Sequence, residues 1–503
     1  MNIIKTSFLF LSCAISSTVM AQDSFEAFKK KMDSSFESFK KKENDDFEAF
    51  RKRVNDEYAA MVEKAWKQFN ALKAIGVPEE KVKPVPPVVY PKNDDKKPQP
   101  TPKPLPYDDV VPVPIPKPQP QPVAPIETRP VPVKPVHPKV TFSLFGTNLS
   151  VVFDRSMCIT LSSTDERSIA KAWKQMTNDD YTSLVYDCLE LRKNKKLCDW
   201  AYLEMLHAIA ERIYPNDINS ATLFMAYLYC QSGYKMRLAR DTNNRLYMLY
   251  ASNHLIYNKN YYTIDGCNYY TYGVSPQKAY ICDIAFPKES ALSLYIPTEQ
   301  QFDIAMSGPK TRQSKMYPDM KTSMTSNLNL MKFYETYPTS MIGDNIVSRW
   351  AMYANTPMSE NVKSQIYPSL KRAISGCSQL QAVNKLLNYV QTGFIYEYDD
   401  KVWGHDRAFF AEESLYYPYC DCEDRSILFT RLVRDLVGLK CILIYYPGHL
   451  AAAVSFTQSQ VNGDYIQISG HRYIITDPTY IGAPVGKTMP DMDNRTAKVI
   501  LLN

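Results

Sequence analysis

Histidine and glycine are scarce in this chain, with six His and 16 Gly in 503 residues. Beyond the first residues no stretch approaches 18 consecutive apolar side chains, so the body of the protein offers no spanning helix and is expected to be soluble or peripheral. Gly-x-Ser-x-Gly, a P-loop, Gly-x-Gly-x-x-Gly and a His-x-x-x-His pair are all missing, which leaves serine-hydrolase, nucleotide and zinc readings without support. The excess of positive charge is only +6, too small and too locally cancelled to suggest nucleic-acid binding. Eleven Cys are far too few for a disulfide scaffold, and a chain of this size does not need one. Tyr, by contrast, occurs 36 times, which fits a packed globular body with aromatic surface grooves.

The chain divides by composition. Lys5, the apolar run from Phe8 to Ile15, and Val19-Met20-Ala21 read as a secretory signal over residues 1–21, cleaved after Ala21. The alternative is a lipoprotein with Cys13, after Leu11-Ser12, as its lipidated residue. Either way the protein is expected to be exported, to the periplasm or the cell surface. Residues 22–76 carry a repeat of period 11: Phe25 and Phe28 recur as Phe36 and Phe39, Phe47 and Phe50, Tyr58 and Met61, and Phe69 and Leu72. Eleven residues in three turns keep these positions on one face of a long helix. That face suits self-association, an amphipathic contact with an anionic envelope surface, or a helix folded back on the main body. Residues 77–138 are Pro-rich and are expected to be an extended polyproline spacer reaching up to roughly 190 Å.

Chemistry concentrates in the last hundred residues. Cys422 opens the run Cys-Glu-Asp-Arg-Ser-Ile-Leu-Phe, and Ile427, Leu428, Leu432, Val433, Leu436 and Val437 recur at helical spacing before Gly438 stops the helix. A helix N-terminus favours a thiolate. Lys440 to Tyr446 and Ala451 to Phe456 read as strands with His449 at the turn between them, and Asp477 ends a third strand before Pro478. Nucleophile, base and orienter for acyl transfer are thus present in order. Against this, a Cys in an amphipathic helix is most often core. Cys420 is the rival nucleophile; it precedes the helix, and in an oxidising compartment it could lock Cys422 in a disulfide. His405, near Trp403 and Arg407, reads as a solvated loop residue or as part of a substrate groove.

The three blocks, Cys-x-Asp-x-Ser heading a helix that ends in Gly-Leu-Lys, Gly-His-Leu-Ala-x-Ala-Val, and Tyr-x-x-x-Asp-Pro-Thr-Tyr, resemble the transglutaminase-like core, a papain-like α+β fold. The likeness runs from about Ser359 to Asn503. It implies that Cys422 attacks a carboxamide carbonyl, His449 takes the proton and Asp477 orients His449, with no cofactor and no metal. Peptides or proteins are the implied substrates, and peptidase, amidase and transglutaminase are the implied activities; some family members only bind. Trp403 and Tyr419 are the candidates for the substrate groove and oxyanion contacts beside the Cys422 backbone N–H. Residues 139–300 read as a degenerate copy of the core, followed by the intact unit at 301–503. Aligned on Gly233 and Gly438, the copy places Asp217, Asn244 and Gly273 at the Cys422, His449 and Asp477 positions. The alternative function is a catalytically silent envelope protein that holds peptides or glycans.

Overall fold

The computed structural model describes residues 44–76, 86–88, 109–111, 138–178, 181–343, 345–457, 461–490, 492 and 496–502. The signal segment and the first copies of the 11-residue repeat lie outside them. Among the described residues no helix is long and apolar enough to cross a membrane.

The architecture is α+β, built on two six-stranded sheets with helices packed against them. In the first sheet the strands lie in the order Trp66–Asn70, Lys278–Cys282, Met236–Arg240, Leu246–Ser252, Cys267–Thr271, Tyr261–Ile264. In the second the order is Asp109–Val111, Lys498–Leu501, Lys440–Tyr446, His449–Ser455, His471–Thr476, Tyr465–Ile468. Numbered along the chain within each unit, these are the same topology: an upstream strand at one edge, then the last, first, second, fourth and third strands of the unit. Every neighbouring pair is antiparallel except Asp109–Val111 with Lys498–Leu501, which is parallel. A helix precedes the first central strand in both units, Ile218–Gln231 in one and Cys422–Val437 in the other, and each packs on its own sheet. One buried apolar cluster runs through both units, from Phe50 to Ile500.

One expectation for the N-terminal segments needs correction. The long helix does not continue to residue 76; it runs from Asn44 to Val62, and Trp66–Asn70 is a strand of the first sheet. The stop has a local cause. The Val62 carbonyl, which a continuing helix would bond to the Trp66 backbone N–H, instead accepts from the Trp66 indole Nε1 at 2.6 Å. Four apolar side chains of this helix turn to the main body, as the folded-back alternative expects. Phe50, Val54, Tyr58 and Val62 are at most 7% exposed and pack against the first unit, with the Tyr58 ring 5.0 Å from Trp173. Asn55 anchors the contact: its Oδ1 accepts from Trp173 Nε1 and from Gln231 Nε2, both at 2.9 Å. Such buried bonds are costly to leave unmade.

At its described residues the Pro-rich segment is likewise attached to the body. Val88 bridges to Ile481, and Asp109–Val111 lies beside Lys498–Leu501 as an edge strand. Extended polyproline and β backbone dihedrals are close neighbours, so an open sheet edge can capture a Val-Val pair from a sequence without strand alternation. Among its described residues this segment is fixed at 88, at 109–111 and at residue 138, whose carbonyl accepts from Phe153 N.

Candidate active site

Cys422 is the first residue of its helix, His449 the first of its strand, and Asp477 directly follows the last residue of the strand His471–Thr476. The fold brings these three termini to one end of the sheet. Ser426, one turn below Cys422 on the same helix face, donates from Oγ to the Leu450 carbonyl at 2.8 Å, tying the helix start to the strand start. Strand His449–Ser455 pairs antiparallel with His471–Thr476, Ala452 opposite Thr476, so the second strand ends where the first begins.

The His449–Asp477 pair is made. Asp477 Oδ2 lies 2.8 Å from His449 Nε2, and Asp477 Oδ1 accepts from the backbone N–H groups of Thr479 at 2.8 Å and Tyr480 at 3.3 Å. A carboxylate only accepts, so the imidazole proton sits on Nε2 and Nδ1 carries the basic lone pair. His449 Nδ1 is buried and has no hydrogen-bond partner. Sequence reasoning missed the residue that holds this loop. Gln391, from helix Gln379–Gly393, donates from Nε2 to the carbonyls of Asp477, Tyr480 and Ala483 at 3.1, 2.8 and 3.0 Å, and its Oε1 accepts from Gly482 N at 3.1 Å. A Gln among helix-period apolar residues carries no mark of that duty in the sequence.

The helix start is sealed. Cys422 and His449 are each 1% exposed and Asp477 3%. Asp421 is the N-cap; its carboxylate takes the Glu423 N–H at 3.1 Å, while Asp424 takes the N–H groups of Asp421 at 3.2 Å and Phe409 at 2.8 Å. Burial, then the neighbouring Asp421 and Asp399 charges, hold the Asp424 carboxyl well above the usual carboxylate range. The Tyr398 phenol is also raised, first by burial and, against the opposing Lys401 charge, by the adjacent Cys422 thiol. Tyr398 therefore stands near the Cys422 thiol.

The secondary candidates are dispersed. Trp403 is half-buried, with the Arg407 guanidinium 4.6 Å from its ring centroid and Tyr417 edge-on at 4.9 Å. Tyr419 is 39% exposed, on the two-residue strand Tyr419–Cys420 that pairs with Ile395–Tyr396. His405 is exposed, its Nδ1 3.0 Å from the Trp403 carbonyl. Cys420 is buried, its thiol facing the Ile395 carbonyl at 3.9 Å, and every described cysteine is free.

Three buried carboxylates, Asp399, Asp421 and Glu423, have oxygens within 4.8 Å of one another. Each already serves the protein: Asp399 accepts from Arg407 N at 2.9 Å, Asp421 caps the helix, and Glu423 faces Arg349 at 3.8 Å.

Glu412 lies behind the site with a different burden. Its Oε2 accepts from Ser359 N at 2.9 Å, but Oε1 is buried with no partner, and burial pushes its pKa up to about 7. The folded-state pKa exceeds the unfolded value of 4.5, so the associated stability is complete below about pH 4.5 and is lost as the pH rises through about 7, at up to about 1.4 kcal/mol per pH unit. Melting temperature is therefore expected to fall across this window, and Glu412→Gln to flatten the fall. An unchanged slope in the variant would show that Glu412 is not the titrating group.

The alignment of the first unit also needs correction, by one or two residues. Asp217 is the N-cap of helix Ile218–Gln231, not its first residue, and Asn244 lies exposed at φ 61° in the turn before strand Leu246–Ser252. The hairpin loop spans 241–245 here against 447–448 in the second unit, and a register fixed on two glycines slips across that difference. Strand pairing gives the true counterparts. Ala452, three residues after His449, faces Thr476, the residue before Asp477; Leu249, three after Leu246, faces Thr271, the residue before Tyr272. Ile218, Leu246 and Tyr272 thus stand at the Cys422, His449 and Asp477 positions.

Comparison with known proteins finds no matching family model, no matching curated protein and no matching solved structure.

Proposed function

We propose that residues 301–503 form a transglutaminase-like, papain-like cysteine acyl-transfer unit of an exported envelope protein, acting on carboxamides of peptides or proteins. The observation that carries this reading is the buried His449–Asp477 bond, which leaves a basic Nδ1 without a partner at the sheet end where Cys422 heads its helix. In the reaction the Cys422 sulfur bonds to the carbonyl carbon as His449 accepts the thiol proton. The C–N bond then breaks, the same proton passes from His449 to the departing amine, and a thioester remains. Water deprotonated by His449 would complete a peptidase or amidase cycle; an amine would complete transamidation. The Cys422 backbone N–H, at the helix head, would receive the oxyanion.

A silent binding protein is the second reading, favoured by the 1% exposure of Cys422 and by the acidic residues around it. Thiol labelling separates the two. Cys441 is an internal reference, 3% exposed in the core with its pKa pushed up to about 12 by burial. On the enzyme reading iodoacetamide at pH 7 labels Cys422 at least about tenfold faster than Cys441, because local opening exposes an imidazole-activated thiol, and His449→Ala removes the difference. Equal, slow labelling of both thiols would favour the binder.

A further inference from the structure

The first unit keeps an open cleft of about 370 Å³ where the second has its buried triad. Ile218, Leu246 and Tyr272, the counterparts of Cys422, His449 and Asp477, all line it. So does Glu211, the thirteenth residue of helix Asp199–Ile213, as Gln391 is the thirteenth of helix Gln379–Gly393. The chemistry has been replaced while the hollow remains, at a size typical of small-ligand sites.

We propose that this cleft is a peptide-binding site, taking a short segment with one apolar side chain and a carboxylate nearby. The floor is made by Met225 and Met248, 3% and 2% exposed, flanked by Ile218 at 52%. Thioether and branched aliphatic groups adapt to varied aliphatic side chains. The rim is charged with both signs from different elements: Glu211 and His207 on the helix, their side chains 3.5 Å apart, and Arg245 on the hairpin turn. Arg245 forms no ion pair among the described residues; its guanidinium lies 5.3 Å from the Tyr247 ring centroid. A peptide end offers charges that suit this rim. A glycan fits less well, because sugar rings stack on broad aromatic faces and the rings here are engaged: Tyr272 against His207 at 4.5 Å, Tyr247 beneath Arg245, and Tyr214, 8% exposed, on Phe224. Below the cleft the Tyr272 hydroxyl donates to Glu204, whose carboxyl burial pushes up to about 7. This assignment does not depend on thiol chemistry in the second unit.

The test uses the full chain carrying Cys422→Ala, so that nothing is turned over, titrated calorimetrically with the tripeptide Ala-Leu-Ala, its C-terminal amide, and a chitin trisaccharide. The free tripeptide is expected to bind, Ile218→Arg to weaken it by about tenfold or more, and Arg245→Glu and the amide by smaller factors, as suits a solvent-exposed charge pair. Both substitutions alter exposed side chains, so loss of fold is not expected, and unchanged melting of the variants checks this. Three results would overturn the proposal: no peptide binding up to about 10 mM, peptide binding indifferent to both substitutions, or binding of the trisaccharide alone. Peptide binding that survives in the first-unit variants would instead locate the peptide at Cys422, so the two sites are told apart.

Discussion

His449→Ala is expected to reduce turnover of a carboxamide substrate on the order of 10³-fold, and Cys422→Ala to abolish acyl transfer altogether. The two losses have different origins. Without Cys422 no thioester forms, and no described position in the first unit replaces it, since its counterparts are Ile218, Leu246 and Tyr272. Without His449 the thiol remains but the general base proposed for it is gone, a deficit typically worth about 10² to 10⁴ in rate. Asp477→Asn should fall between wild type and His449→Ala and lose its pH optimum, because an amide can turn its NH₂ toward Nε2 and favour the wrong tautomer. Intact-mass detection of the thioester, alongside amine release, measures both steps. An undiminished thioester yield in His449→Ala, or any turnover in Cys422→Ala, would refute the assignment.

A chain beginning at residue 139, where composition places the start of the globular body, is expected not to fold stably. It would lack helix Asn44–Val62, whose Phe50, Val54, Tyr58 and Val62 are buried in the first unit. At about 1.5–3 kcal/mol for each large apolar side chain, that is a loss of roughly 10 kcal/mol, comparable with the net stability of a whole domain. Trp173 and Gln231 would lose their Asn55 bonds, and strands Lys278–Cys282 and Lys498–Leu501 would each become an open sheet edge prone to association. Size-exclusion chromatography and thermal melting of 139–503 beside 44–503 decide the matter. A monomeric, cooperatively melting 139–503 would show the N-terminal segments to be dispensable.

These two expectations mark what could and could not be read from the sequence. The helix under Cys422, the hairpin that presents His449 and the strand that ends at Asp477 each carry strong local signals, Gly438 and the Pro447-Gly448 turn among them. The helix stop at Val62 was hidden because Phe69 and Leu72 keep the 11-residue period across it, while the cause is one indole reaching a carbonyl four residues back. Strand Asp109–Val111 has no pattern of its own; the edge it completes, almost 400 residues away in sequence, makes it a strand. Gln391 acts through tertiary contacts that no spacing rule encodes.

The strap at 109–111 also sets a path for mechanical load. Tension entering from the N-terminal side at Asn44 meets the packed helix and then strand Trp66–Asn70, both fastened to the first unit. Only when those have yielded does the pull arrive at the second unit, first at the Val88–Ile481 bridge and then at Asp109–Val111 on its sheet. There it acts on Lys498–Leu501, which borders Lys440–Tyr446, which in turn borders the strand that starts with His449. The first unit stands in series as a fuse: a tug from the N-terminal side is absorbed there, and the second sheet is strained only after the fuse has opened.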